Sequence, residues 1–196
     1  VPPLALGAVP ITRVELWAGR RQAAAALPFP ALSLSRRVLD AALVAKCVAS
    51  VAAFHGGVAA NRVSGDGVHT SGGDVRASTI LLASGKHDLR GLPRPPGPDQ
   101  IGFKQYFRAP RLHRDLAGTV RVVFFDGGYA GLQPVEGGRL NLCLLADGPL
   151  YRDLGSWPAL LAHLLREPGL AALADGEALL AKPLAPVPPG GPGGGP

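Results

Sequence analysis

Ser84, Gly85, Lys86, His87, Asp88 and Arg90 follow directly on an apolar run, STILLA, at residues 78–83. Backbone N–H groups in a glycine turn, with cations close by, are what a phosphate needs from a protein. A charged, solvated turn that merely ends a strand gives the same pattern, and the residues alone leave both readings open. Arg36 stands four residues ahead of Asp40 at the start of an amphipathic segment. Taken alone, it is an exposed first-turn cation, slightly unfavourable beside the helix dipole.

Other chemistries find little support in spacing. His55, His69, His87, His113 and His163 are dispersed without a His-x-x-x-His pair, and Cys47 and Cys143 lack C-x-x-C partners. A zinc site is therefore not expected. No G-x-S-x-G nucleophile elbow occurs, which argues against that hydrolase class. No catalytic residue is singled out.

The elements that must hold these residues follow from periodicity. Residues 11–17, ITRVELW, alternate apolar and polar and predict a strand. Residues 23–30 read as a proline-bearing loop. Ser35 is a good N-cap, and Leu39, Leu43, Val44, Cys47 and Val51 mark one face of a helix over 36–52. Short strands are expected at 58–63, 68–71 and 75–83, the last as a fully covered run. Beyond a proline-rich linker, 102–109, 119–125, 129–135 and 139–146 read as four strands, the last three antiparallel neighbours. Ser156 opens a helix over 157–165, and 170–180 suggests a further short one. The ending APVPPGGPGGGP predicts a disordered tail.

Composition narrows the function classes. The 196 residues are 47% hydrophobic and 17% charged, with no apolar stretch near the length of a bilayer crossing. No integral membrane segment is expected. The net charge of +6 is spread thinly, with only Arg20-Arg21 and Arg36-Arg37 adjacent; no basic patch interleaved with aromatics supports nucleic-acid binding. The chain begins at Val1 and has no Met, as expected of a segment that has lost something upstream. Two cysteines in apolar surroundings are expected to be buried, reduced thiols of a cytoplasmic protein.

Five segments in order, LSRRVLDAALVAKC, GGVAANRV, GDGVHTSGGDVRASTILLASGKHDLRGLPRP, IGFKQYF and FFDGGYAGLQPVEGGRLNLCLL, together resemble the middle of the FAD-dependent oxidoreductases with the para-hydroxybenzoate hydroxylase type of fold. Within that superfamily they look most like the geranylgeranyl reductase and flavin monooxygenase branch. Arg36 and Asp40 match the family's R-x-x-x-D, whose Arg contacts FAD. The turn at Ser84 and Gly85 stands in the place of the family's A-D-G-x-x-S-x-x-R, near the FAD pyrophosphate. Gly85 matches, Arg90 is a near match, and Ser84 replaces the Asp, so the carboxylate role does not carry over. GGYAGLQP resembles the substrate-lining P-G-G-Y-x-W-x-F-P: Gly127, Gly128, Tyr129 and Pro134 match, whereas Gly131 and Gln133 replace the aromatic walls. Tyr129 either faces the substrate or packs on the sheet.

The resemblance implies an α/β (α+β) fold: a partial FAD-binding, Rossmann-like domain over 1–92, a linker over 93–99, a substrate-domain sheet and helix over 100–184, and the tail over 185–196. It implies an FAD-dependent oxidation, reduction or hydroxylation of a small or lipid-like organic substrate. Arg36, Ser84 and Gly85 are the cofactor-binding candidates, and Gly128 and Tyr129 the substrate-pocket candidates. The G-x-G-x-x-G that lets a backbone approach a dinucleotide pyrophosphate is missing from the sequence, as is the later Gly-Asp motif. FAD binding by this segment alone is expected to be weak or absent. The rival expectation is a non-catalytic interaction module derived from the same fold.

Overall fold

The computed structural model describes residues 1–50, 52–85 and 98–185. Lys86, His87, Asp88 and Arg90, most of the expected linker and most of the expected tail lie outside the described residues.

The architecture is α/β, with one seven-stranded and one three-stranded sheet. The larger contains β1 (Val9–Ala18), β2 (Arg21–Ser33), β6 (Gln100–Arg108), β7 (Thr119–Phe125), β8 (Gly128–Val135), β9 (Arg139–Asp147) and β10 (Glu177–Ala178), in the order β10-β6-β9-β8-β7-β1-β2. The pairing of β1 with β7 is parallel and the others are antiparallel. The sheet thus draws strands from both sides of residues 93–99. The smaller is a meander of β3 (Ala60–Ser64), β4 (Gly67–Thr70) and β5 (Gly73–Arg76).

Period-two alternation gives the large sheet two unlike faces. Phe103 and Phe107 of β6, Val123 and Phe125 of β7, Ala130 and Leu132 of β8, and Leu140, Leu142 and Leu144 of β9 are all buried in one cluster. The helices α2 (Pro110–Asp115), α3 (Gly148–Leu154) and α4 (Trp157–Leu164) cover that face, through Leu112, Leu150, Tyr151, Leu160 and Leu164. Phe103 stacks at a tilt on Tyr151 and Trp157, with ring centroids 4.9 and 5.3 Å apart. Both longer helices follow their capping signals: Ser35 Oγ accepts from Val38 N–H at the start of α1 (Arg36–Ala49), and Ser156 Oγ from Ala159 N–H at the start of α4.

Several expectations are corrected. Residues 23–30 belong to strand β2, because its position at the sheet edge lets Pro28 and Pro30 occur without breaking a ladder on both sides. The strand expected over 75–83 ends at Arg76, and 77–84 is irregular, with Leu81 88% exposed. A doubly covered run needs partners on both faces, and β5 is the edge of a three-stranded sheet. Helix α1 forms as its pattern requires, yet none of its residues is buried. Cys47 is accordingly exposed and Cys143 half-buried, not the two buried thiols expected. The helix expected over 170–180 is a 3-10 turn at Ala171–Asp175, while α2, α3 and β10 carry too few residues for periodicity to reveal.

Arg121 ties β1 to the covered face. Its Nε donates to Glu15 Oε2 at 2.9 Å, a second nitrogen donates to Gly169 O at 3.1 Å, and its guanidinium lies 5.1 Å from the Trp17 ring centre. Only 13% of the side chain is exposed. Arg121→Ala is expected to cost about 1–2 kcal/mol in urea unfolding, through lost charge-assisted bonds and stacking.

Candidate functional site

The second face of the large sheet is open at its middle. Strand register puts Leu16 beside Val122, Phe124 beside Tyr129, and Gly131 between Val122 and Cys143. Phe124 and Tyr129 are each 47% exposed, with ring centroids 6.5 Å apart. Gly131 removes any side chain from the centre of this surface, and a Cβ there would meet only the Cys143 carbonyl at 3.8 Å. An exposed, apolar and partly aromatic surface results, of the kind a planar ring can pack on. Lys104 and Tyr106 of β6 continue it beside Cys143 and Asn141, and the Lys104 ammonium lies 6.0 Å from the Tyr106 ring centre.

Gly128 and Tyr129 adjoin at the start of β8. Tyr129 lies on the open surface, with its ring against that of Phe124. Gly128 is tightly packed: a Cβ there would sit 2.1 Å from the Leu145 carbonyl oxygen and 2.8 Å from the Phe125 ring. Phe124, which completes the aromatic pair, was missed by sequence reasoning; its alternation with buried Val123 and Phe125 is the signal that marks it.

The other end of β8 carries a polar clamp. Ser35 N–H and Oγ donate to the two oxygens of Glu136, at 2.8 and 2.6 Å, and Arg139 donates to the same carboxylate and to the Glu136 carbonyl. Burial by itself raises the Glu136 carboxyl. The Ser35 hydrogen bonds and the Arg139 charge outweigh that, and it titrates below the ordinary glutamate value. Gln133 Nε2 donates to Ser33 Oγ at 3.0 Å alongside. This clamp fastens the start of α1 to the β8–β9 turn.

Arg36 opens α1 next to this clamp. Its side chain is 74% exposed and pairs with Asp40 Oδ1 at 3.1 Å. Seven residues of extended strand separate Tyr129 from Glu136, about 20 Å or more, so Arg36 is not brought together with Gly128 and Tyr129. Ser84 is half-buried and Gly85 exposed with φ +62°, at the end of the irregular segment after β5. A helix start is a natural phosphate site; here the Glu136 carboxylate, bonded to the N-cap Ser35, places a negative charge beside it. Among the described residues, the open face of the sheet is exposed, and the Glu136 carboxylate lies against the N-cap of α1.

The meander brings together residues that sequence spacing kept apart. Ser64 Oγ lies 2.8 Å from His69 Nε2, and His69 Nδ1 lies 2.8 Å from Asp74 Oδ1. Two tight turns, at Gly65-Asp66 and Ser71-Gly72, set that register. Recognising them as hairpin turns with fixed cross-strand partners is the signal that would have found it.

No helix among the described residues is long and apolar enough to cross a membrane. No family model matches the chain, and no curated protein does. Solved structures do. Halogenase PltM, in complex with ethyl mercury and mercury, aligns with TM-score 0.77 at 14% identity over 91% of this chain and 43% of its own. A flavoprotein/dehydrogenase from Cytophaga hutchinsonii gives 0.74 at 12% identity, over 93% and 51%. The flavin-dependent brominase Bmp2 gives 0.72 at 15% identity, over 92% and 51%. The chain therefore has the fold of one part of these flavin-dependent proteins, spanning between 43% and 51% of their lengths.

Proposed function

We propose that this chain supplies the substrate-side sheet of an FAD-dependent oxidoreductase acting on a small or lipid-like organic molecule. The open face around Phe124, Tyr129 and Gly131 carries this reading, in a fold shared with flavin-dependent structures over nine-tenths of the chain. Halogenase PltM has also been solved with phloroglucinol, a planar aromatic molecule, and FAD. The lack of aromatic residues at Gly131 and Gln133 favours a planar substrate over a long prenyl chain, so within the branch read from sequence the monooxygenase side is preferred to the geranylgeranyl reductase side.

A bound flavin would supply the redox chemistry. The residues of this chain would bind and orient: Phe124 and Tyr129 by ring contact, the backbone around Gly131 by close approach, and the α1 clamp by fixing the sheet's far end. Arg36, Ser84 and Gly85 remain the candidates toward the cofactor, reaching it only if Arg36 leaves Asp40. Amide chemical-shift mapping with riboflavin tests the reading. Shifts should concentrate on Phe124, Tyr129, Gly131 and Cys143, and a Phe124→Ala, Tyr129→Ala double variant should lose them. Shifts scattered elsewhere, or none at millimolar riboflavin, would refute it.

The competing reading, a non-catalytic interaction module, draws on the exposed apolar side chains Leu43, Val48, Leu81 and Leu82. Flavin absorbance that copurifies with the chain and survives desalting excludes it.

A further inference from the structure

Strand alternation sorts the three-stranded meander into two faces. Val63, Val68 and Val75 pair across one of them. Arg62, Ser64, His69 and Asp74 share the other: His69 stands opposite Arg62 on one side and Asp74 on the other, with Ser64 two residues along from Arg62. Arg62 donates toward His69 Nε2 at 3.2 Å, and Ser64 Oγ reaches the same nitrogen at 2.8 Å.

The proton positions follow from chemistry. A guanidinium has no acceptor, so His69 Nε2 must carry its lone pair toward Arg62. The ring proton is then on Nδ1, donated to Asp74 Oδ1 at 2.8 Å. The single Nε2 lone pair is shared between the Arg62 N–H at 3.2 Å and the Ser64 hydroxyl at 2.8 Å, the closer donor. That is the tautomer and the order of contacts in which an imidazole activates a serine and a carboxylate orients the imidazole. Three independent strands hold the three groups, and the His69 side chain is 36% exposed, so a small molecule can reach Ser64.

We infer that Ser64, His69 and Asp74 form a nucleophilic relay that cleaves small activated carboxylic esters, a hydrolytic site separate from the open face of the large sheet. Ser64 Oγ bonds to the acyl carbon while its proton passes to His69 Nε2. The ester C–O bond breaks and the alcohol leaves with that proton. Water then adds to the acyl carbon, giving a proton to Nε2, and Ser64 departs with it as the free acid is released.

The test uses the full chain with p-nitrophenyl acetate and phenylmethylsulfonyl fluoride. Hydrolysis should fall at least about tenfold in Ser64→Ala and in His69→Ala, at the low end of what a positioned base supplies. The sulfonyl fluoride should leave one adduct, located on Ser64 by peptide mass. Asp74→Asn keeps a hydrogen-bonding side chain opposite His69 but favours the wrong tautomer. It should lose both activities with an unchanged circular dichroism spectrum, a result that a purely structural role would not give. Label elsewhere, or hydrolysis unaffected by Ser64→Ala, overturns the assignment.

Discussion

A Gly128→Ala variant will unfold at a markedly lower urea concentration than the parent chain, with a loss of about 3 kcal/mol, at the upper end of the overpacking range. The added methyl would sit 2.1 Å from the Leu145 carbonyl oxygen and 2.8 and 3.0 Å from two carbons of the Phe125 ring. Neither neighbour is the free end of a flexible side chain. The carbonyl belongs to β9, the strand paired with β8, and Phe125 is part of the main core, so the variant must separate β8 from β9 or displace a core ring. Gly131→Ala, three residues along the same strand, is the control. Its methyl has ordinary contact with a single carbonyl at 3.8 Å, and the change should stay within about 1 kcal/mol. The sequence marks Gly128 as a substrate-pocket candidate; the structure shows that the glycine is needed for strand packing whatever the face binds.

Glu136→Gln carries the second large effect, a loss of about 2–3 kcal/mol. The amide cannot accept from Ser35 N–H, Ser35 Oγ and Arg139 with both of its heavy atoms, and the half-buried Arg139 loses its counter-charge. Because the folded-state carboxyl titrates below its ordinary value of 4.5, its contribution is complete above that value and is lost as pH falls through the lower folded-state one. Stability of the parent chain should therefore drop more steeply than that of Glu136→Gln as pH falls below the ordinary value of 4.5, and the two unfolding curves should converge at the acid end. Equal slopes over that range would show that the clamp is not ionic.

Strands β7, β8 and β9 were legible because each alternates cleanly between a core residue and an open-face residue, with Asp126-Gly127 and Glu136-Gly137-Gly138 as the turns between. Helix α1 was legible from Ser35 and its apolar spacing, since helix formation depends on local signals. What lies beneath α1 was not, because burial is decided by what else is folded nearby. The same reason explains residues 77–84, whose apolar sequence suits a covered strand but which follow β5, the edge strand of its sheet among the described residues. The parallel pairing of β1 with β7 was invisible to local pattern, since it joins residues about a hundred positions apart and no turn announces it. Of the candidate site, Tyr129 could be read from the motif around it. The Glu136 clamp could not, because Ser35 and Glu136 meet across 101 positions.

We propose that the open face around Phe124 and Tyr129 meets a flavin ring as well as the planar substrate, and that the dinucleotide phosphates are held elsewhere. Riboflavin and FAD share the ring, and only FAD adds the pyrophosphate and adenosine. Parallel fluorescence-quenching titrations of the full chain should give weak affinities that agree within about threefold, because Arg36 is held by Asp40. FAD binding more than about a hundredfold tighter than riboflavin, a gap near 2.7 kcal/mol, would show a phosphate cradle within this chain and contradict the account.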